Sequence, residues 1–219
     1  VIIAVDGPAA AGKGTLARRL ADHLGLRYLE SGRLYRAVAA RLLREGGDPA
    51  DAARAVAIAR ALHDVDLEAG DLRDERVGRA ASIVSAIPAV RQALLDYQRD
   101  FGRRPPGAVI DGRDIGTVVF PDAAHKLFVT ASAEARAERR WRELVARGVA
   151  TTRAAVLRDL VARDARDTAR AVAPLAPAPD AIVLDTTEMD AEAAFAAALE
   201  AIGAAPPGDG AAPSRGARG

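Results

Sequence analysis

The N-terminal stretch leaves little freedom in how the chain can fold. Val1 to Val5 is a continuous apolar, largely β-branched run, which suits a parallel strand buried on both faces. It ends in Asp6-Gly7, and a loop of small residues follows: Gly7, Pro8, Ala9, Ala10, Ala11, Gly12, Lys13, Gly14, Thr15. From Thr15 to Leu24 the apolar residues Leu16, Leu20 and Leu24 share one helix face, and Gly25 stops the pattern. A glycine loop between a buried strand and a helix is the setting of a phosphate-binding loop. Small residues let backbone N–H groups turn toward phosphate oxygens, and the helix N-terminus adds its positive end. Lys13 can reach the outer phosphates of a nucleotide, and the Thr15 hydroxyl can ligate Mg2+. An alanine-rich chain makes Ala9 to Ala11 uninformative. It does not account for Gly7, Gly12, Lys13 and Thr15 at this spacing.

The strand-then-helix alternation continues. Arg27 to Leu29, Ala108 to Ile110, Lys126 to Val129 and Ala181 to Leu184 read as further short strands. Helices are predicted over Leu34–Arg44, over Ala50–Leu62 with Asp48 as N-cap and Pro49 at the first position, and over Val77–Ala86. Others are predicted over Ala89–Phe101 opened by Pro88, over Ala133–Arg147, over Thr152–Arg170 and over Asp190–Ile202. His63 to Val77 is acidic and weakly periodic. From Ala204 onward Pro, Gly, Ala and Arg predominate, which reads as a flexible tail. Five short apolar strands separated by helices imply a parallel sheet covered on both faces.

Composition excludes several functions. With 219 residues, 50% of them hydrophobic, the chain can build one sizeable core. There is no cysteine, hence no disulfide framework and no thiolate zinc site. A net charge of +1 and 4% aromatic residues give no case for nucleic-acid binding. No apolar run spans a bilayer, and the first residues lack the basic segment of a signal peptide, so no membrane role and a cytoplasmic location are expected. Lysine stands only at Lys13 and Lys126 among the 31 basic residues. The arginine excess is therefore weak evidence by itself.

Three segments beyond the phosphate loop carry candidate binding groups. Ser31-Gly32 could cap a helix whose first turns hold Tyr35 and Arg36, although an ordinary helix start would look the same. Asp111-Gly112-Arg113-Asp114 follows the third strand, and ligands of parallel sheets bind beyond the carboxyl ends of strands. Arg163, Asp167 and Arg170 share one face of a helix, with Arg166 slightly round it. Taken alone that helix reads as a salt-bridged surface, since Asp159–Arg163 also has i,i+4 spacing. The preceding helix, with Arg136, Arg139, Arg140, Arg142 and Arg147, reads similarly through Glu138–Arg142 and Glu143–Arg147. Both helices flank a Gly148-to-Thr151 turn, as in a mobile arginine-bearing lid.

Together these residues resemble bacterial cytidylate kinase over nearly the whole chain up to about Gly203. The match comprises Asp6-Gly7-Pro8 through Gly12-Lys13-Gly14-Thr15, Ser31-Gly32-x-x-Tyr35-Arg36, Ala80-Ala81-Ser82 and Ile87-Pro88-x-Val90-Arg91. It continues with Asp111-Gly112-Arg113-Asp114-x-Gly116-Thr117 and Arg163-Asp164-x-Arg166-Asp167-x-x-Arg170. The resemblance implies a three-layer P-loop kinase fold with a five-stranded parallel sheet, a nucleoside-monophosphate segment over about 37–101 and a helical lid over about 139–166. These would lie in one domain, 1–203, with a tail over 204–219. It implies ATP as phosphoryl donor with Mg2+ held by Thr15, and CMP or dCMP as acceptor. Lys13, Arg113 and Arg170 would be catalytic. Arg36, Arg113 and Arg170 would clamp the CMP phosphate, while Ser82, Arg91 and Asp114 would read cytosine. Arg163 and Asp167 would hold the ribose, and Ser31, Tyr35 and Asp111 would complete the acceptor site. Two departures stand out: Glu30 and Arg33 replace the family's more usual Asp and small or apolar residue, and Asp66 to Arg79 is too short for the usual β-hairpin. A reduced insert and a monomer are expected. A kinase for UMP or dTMP is the nearest competing reading. A GTPase-like switch would need an Asn-Lys-x-Asp segment, which the sequence lacks.

Overall fold

The computed structural model describes residues 1–67 and 70–204. The expected tail from 205 onward lies outside the described residues. Strands β1 (Ile2–Asp6), β2 (Arg27–Glu30), β3 (Ala108–Gly112), β4 (His125–Thr130) and β5 (Ile182–Asp185) form one sheet in the order β2-β3-β1-β4-β5. Every pairing is parallel. The five expected strands are therefore all present.

Helices cover both faces because successive strand residues point to opposite sides. Ile3 and Val5 of β1 pack with Leu16 and Leu20 of α1 (Lys13–Leu24) and Leu199 of α9 (Ala191–Ala201). Each such buried aliphatic side chain contributes on the order of 2 kcal/mol. Ala4, between them, faces the other layer with Ile110, Ile115 and Phe120. There Tyr97 and Phe101 of α6 (Pro88–Arg103) close the core.

Between β2 and β3 the described residues are helix and turn, without a strand. Here α2 (Ser31–Arg44), α3 (Ala52–Arg60), the short α4 (Asp64–Leu67), a 3-10 turn (Gly70–Arg73) and α5 (Glu75–Val84) precede α6. They share a core of Leu34, Val38, Leu42, Ile58, Val84 and Leu94. Arg33, which belongs to the first of the two departures, donates from the first turn of α2 to the Leu67 carbonyl and ties α4 down. The start of α3 differs from expectation. Asp51 caps it, accepting from Arg54 N at 3.1 Å, whereas Asp48 accepts from Ala50 N at 2.9 Å in a preceding turn. Both aspartates are competent caps, and the local Asx turn takes the first.

After β3 comes a π-helical turn, Ile115–Val119, which the sequence pattern did not suggest. Its first N–H groups, Ile115 N and Gly116 N, donate to the two oxygens of Asp6 at 2.8 and 2.7 Å. Helices α7 (Ala133–Ala146) and α8 (Arg153–Thr168) form a hairpin with its own core of Ala137, Leu144, Val156 and Leu160.

Candidate active site

The loop after β1 runs against the backbone of β4. A Cβ at Gly7 would lie 2.0 Å from the Val129 carbonyl oxygen, so only glycine fits there. Ala10 (φ 59°) and Gly12 (φ 87°) are left-handed, the alternation that builds an anion-binding concavity. Gly12 caps α1 without a side chain, and no acidic residue sits in the first turn. No acidic side chain of α1 itself offsets its positive end. Lys13 is buried, with Nζ 3.4 Å from the Pro8 carbonyl. Burial and the Arg113 guanidinium push its pKa well below the usual lysine value, against the attraction of Asp111 and Glu30. Burial raises the Asp111 carboxyl, and Tyr28 donates its hydroxyl to Asp111 Oδ1 at 3.1 Å. Burial also pushes Asp6 up to about 7, against its two backbone donors. A desolvated ammonium with one long contact to a carbonyl is a receptor for an anion.

Beyond the carboxyl ends of β2 and β3 lies a cleft lined by Ser31 and Tyr35 of α2, Arg91 of α6, Arg113 and Asp114 after β3, and Arg163, Asp167 and Arg170 on and after α8. The structure thus brings together eight of the residues singled out from the sequence. Their centre is Asp167, only 1% exposed. Arg113 Nε donates to its Oδ2 at 2.9 Å, Arg170 Nη2 bonds Oδ1, and Arg163 Nε stands 4.0 Å away. Burial alone would raise the Asp167 pKa, but these guanidiniums hold it below the usual carboxylate value. One carboxylate cannot neutralise three guanidiniums. Burial and the neighbouring Arg113 push Arg163 down to about 9. The buried Nε of Arg36, Nε of Arg163, and Nε and Nη1 of Arg170 have no hydrogen-bond partner within the protein. Leaving buried donors unmet is costly, and a multidentate anion would meet them.

On the other wall Arg91 pairs with Asp114, bonds the Ser85 carbonyl at 3.0 Å and lies 5.3 Å from the centroid of the Tyr35 ring. Ser82, a sequence candidate, is buried beside the cleft wall and accepts from Arg166 Nε at 3.2 Å. Ser85 lines the cleft itself, and its Oγ accepts from Arg170 Nη2 at 2.8 Å. It escaped notice in the sequence, although its place three residues beyond Ser82 puts it on the same helix face. The expected Glu138–Arg142 and Glu143–Arg147 pairs are present at 2.7 and 3.8 Å. Asp159, by contrast, faces Arg79 of α5 at 3.7 Å, while Arg163 turns inward to Asp167.

The hairpin of α7 and α8 reaches across to the helical insert. Arg140 pairs with Glu75, and Arg147 Nη2 donates to the Arg73 carbonyl at 3.1 Å. The donor set also bears on a divalent cation. Among the described residues no group of three acidic or imidazole side chains could hold one alone. Thr15 offers an exposed hydroxyl in the first turn of α1. A hard ion that keeps phosphate and water ligands fits such a single-oxygen site.

The sequence profile of the cytidylate kinase family matches residues 3–204. A cytidylate kinase of Paramagnetospirillum magneticum is 61% identical over 205 residues, covering 92% of this chain and 97% of that protein. One from Methylocella silvestris is 59% identical over 199 residues, covering 91% and 92%. In fold, the chain is similar to an uncharacterized protein from Eubacterium ventriosum ATCC 27560, with a TM-score of 0.53, 14% identity, and 93% and 98% of the two chains covered.

Proposed function

The chain belongs to the cytidylate kinase family, and on that premise we propose how its residues move the γ-phosphoryl group of ATP to CMP, giving ADP and CDP. The supporting observation is the position of Arg113. It bonds Asp167 in the cleft, and its charge depresses both Lys13 of the phosphate loop and Arg163 of the cleft. Two anion receptors therefore adjoin across one guanidinium, as transfer between two phosphates requires.

In this reading Gly7, Pro8, Ala9, Ala10, Ala11, Gly12 and Gly14 cradle the ATP phosphates, and Lys13 neutralises the outer ones. Mg2+ carried with the nucleotide would be held by Thr15 and would supply further charge neutralisation. Arg36, Arg113 and Arg170 grip the CMP phosphate. Arg91, Asp114 and Ser82 read the base, with Tyr35 and Ser31 shaping its wall. Arg163 and Asp167 hold the ribose. An oxygen of the CMP phosphate attacks the γ-phosphorus in line, and the bond to the bridging oxygen of ADP breaks. That nucleophile is already anionic, so no general base is needed, and positioning with charge stabilisation carries the reaction. The segments over about 37–101 and 139–166 close over the acceptor and exclude water. Both receptors come from one chain, which supports a monomer. No helix among the described residues is long and apolar enough to cross a membrane, and we place the enzyme in the cytoplasm, in pyrimidine nucleotide metabolism.

An acceptor panel assayed by ADP release with ATP and Mg2+ tests the assignment. CMP should exceed UMP and dTMP in kcat/KM by about tenfold or more, as expected where polar groups read a base edge, with dCMP as second acceptor. A preference for a non-cytosine acceptor would overturn it.

Proton linkage tests whether Arg163 lies close to the bound CMP. Arg163 has a ligand-free pKa of about 9, and a bound phosphate dianion raises it. Between those two values the complex carries more protons than the free enzyme. CMP binding should therefore take up a proton above about pH 9 and weaken as pH rises through that value. Calorimetry in buffers of different ionisation enthalpy reads this directly, and an absence of uptake there would show that the bound CMP phosphate leaves Arg163 unperturbed.

A further inference from the structure

One buried side chain joins the phosphate loop to the helical hairpin, and the transfer step leaves it unused. Arg136, in the first turn of α7, is 5% exposed. Its Nε donates to the Ala131 carbonyl beyond β4 at 2.9 Å, and its Nη1 to the Ala9 carbonyl of the phosphate loop at 3.1 Å. Its Nη2 donates to Asp164 Oδ2 of α8 at 2.6 Å. Three elements thus meet on one planar group, whose donor directions are fixed relative to one another. Packing follows the same route: Ala9 and Ala10 of the loop pack into the hairpin core with Ala137, Trp141 and Leu160. Asp164 directly follows Arg163 and precedes Asp167 by three residues, so it sits on the helix that carries these two residues of the acceptor cleft. Its second oxygen, Oδ1, is buried without a hydrogen-bond partner. Solvated pairs of the same hairpin, such as Glu138 with the largely exposed Arg142, make no such connection.

We propose that Arg136 and Asp164 are positioning residues that couple occupancy of the phosphate loop to the placement of α8. Donor phosphates that settle in the loop shift the Ala9 carbonyl. Arg136 follows that carbonyl, and Asp164 follows Arg136. Helix α8 then moves as a body, taking Arg163 and Asp167 with it. The ribose side of the acceptor site is therefore completed when the donor is present, and the reverse influence has the same size because binding linkage is reciprocal. The inference rests on the reading that ATP and CMP occupy these two sites.

The test is the affinity for CMP, measured by calorimetry with and without a non-hydrolysable imido-bridged ATP analogue. In the wild type the analogue should tighten CMP by about fivefold or more. In Asp164→Ala the affinity for CMP alone should stay within about twofold of wild type, while the tightening falls toward one. Arg136→Lys serves if Asp164→Ala does not fold, because a single ammonium cannot span three acceptors on three elements. Tightening retained in the folded variants overturns the proposal, as does a wild type that binds both ligands without tightening. A wild type that binds neither ligand defeats the reading of the sites, and the coupling with it.

Discussion

Replacing Lys13 with methionine is expected to lower kcat by about 10³-fold, the size of effect seen when one preorganised charge partner of a transition state is removed. The fold should survive the change. Lys13 is buried, and its ammonium makes one long contact to the Pro8 carbonyl, so its charge is held at a desolvation cost in the free enzyme. Methionine keeps the apolar stem and drops the charge. The variant should melt at or above the wild-type temperature while losing transfer. That split is informative because an anionic nucleophile needs no base, and charge neutralisation is what the lysine contributes. An ADP-release assay beside a thermal melt measures both. Normal turnover by a folded Lys13→Met protein would sink this account of the loop.

The phosphate loop was legible because everything that defines it is local: a buried strand, two glycines, a lysine and a helix start within 15 residues. The sheet was legible for a related reason. Strands buried on both faces read as continuous apolar runs, as β1 and β3 do at the centre of the sheet, and the flanking strands show shorter apolar segments. The acceptor cleft is different in kind. Its walls come from α2, α6, α8 and the end of β3, and no segment of it exceeds what an ordinary helix surface would show. The i,i+4 rule allows Arg163 either Asp159 or Asp167, and tertiary convergence takes it to Asp167. Spacing alone cannot choose between two acidic neighbours, whereas burial of Asp167 can. The π-helical turn after Asp114 was invisible for the same reason. It is organised by the carboxylate of Asp6, 109 residues before Ile115. Resemblance to a family recovered most of the cleft because it carries information that local patterns lack. It also directed attention to Ser82, while Ser85, three residues on, is the serine of that segment that lines the cleft.

Asp167→Asn should destabilise the ligand-free enzyme by about 3–5 kcal/mol, the usual consequence of removing one partner from a buried charge cluster. Asparagine has the same shape, so the loss is electrostatic. Arg113, Arg163 and Arg170 would be left converging on a neutral group, with donors of Arg163 and Arg170 already unmet. The pH dependence has a definite sign. The folded-state pKa of Asp167 lies below the ordinary value, so its contribution is fully present above the unfolded-state pKa, about 4, and is lost as pH falls through the folded one. The stability difference between wild type and variant should therefore be constant near neutral pH and shrink in acid. Phosphate itself discriminates a charge-balance role from a packing role. A dianion in the cleft replaces the missing negative charge, so inorganic phosphate or CMP should raise the Tm of Asp167→Asn more than that of wild type at equal saturation. If the variant is as stable as wild type, or gains no more from phosphate, then the guanidiniums are not held in check by this carboxylate, and the cleft's preference for a phosphate ester must come from elsewhere in its walls.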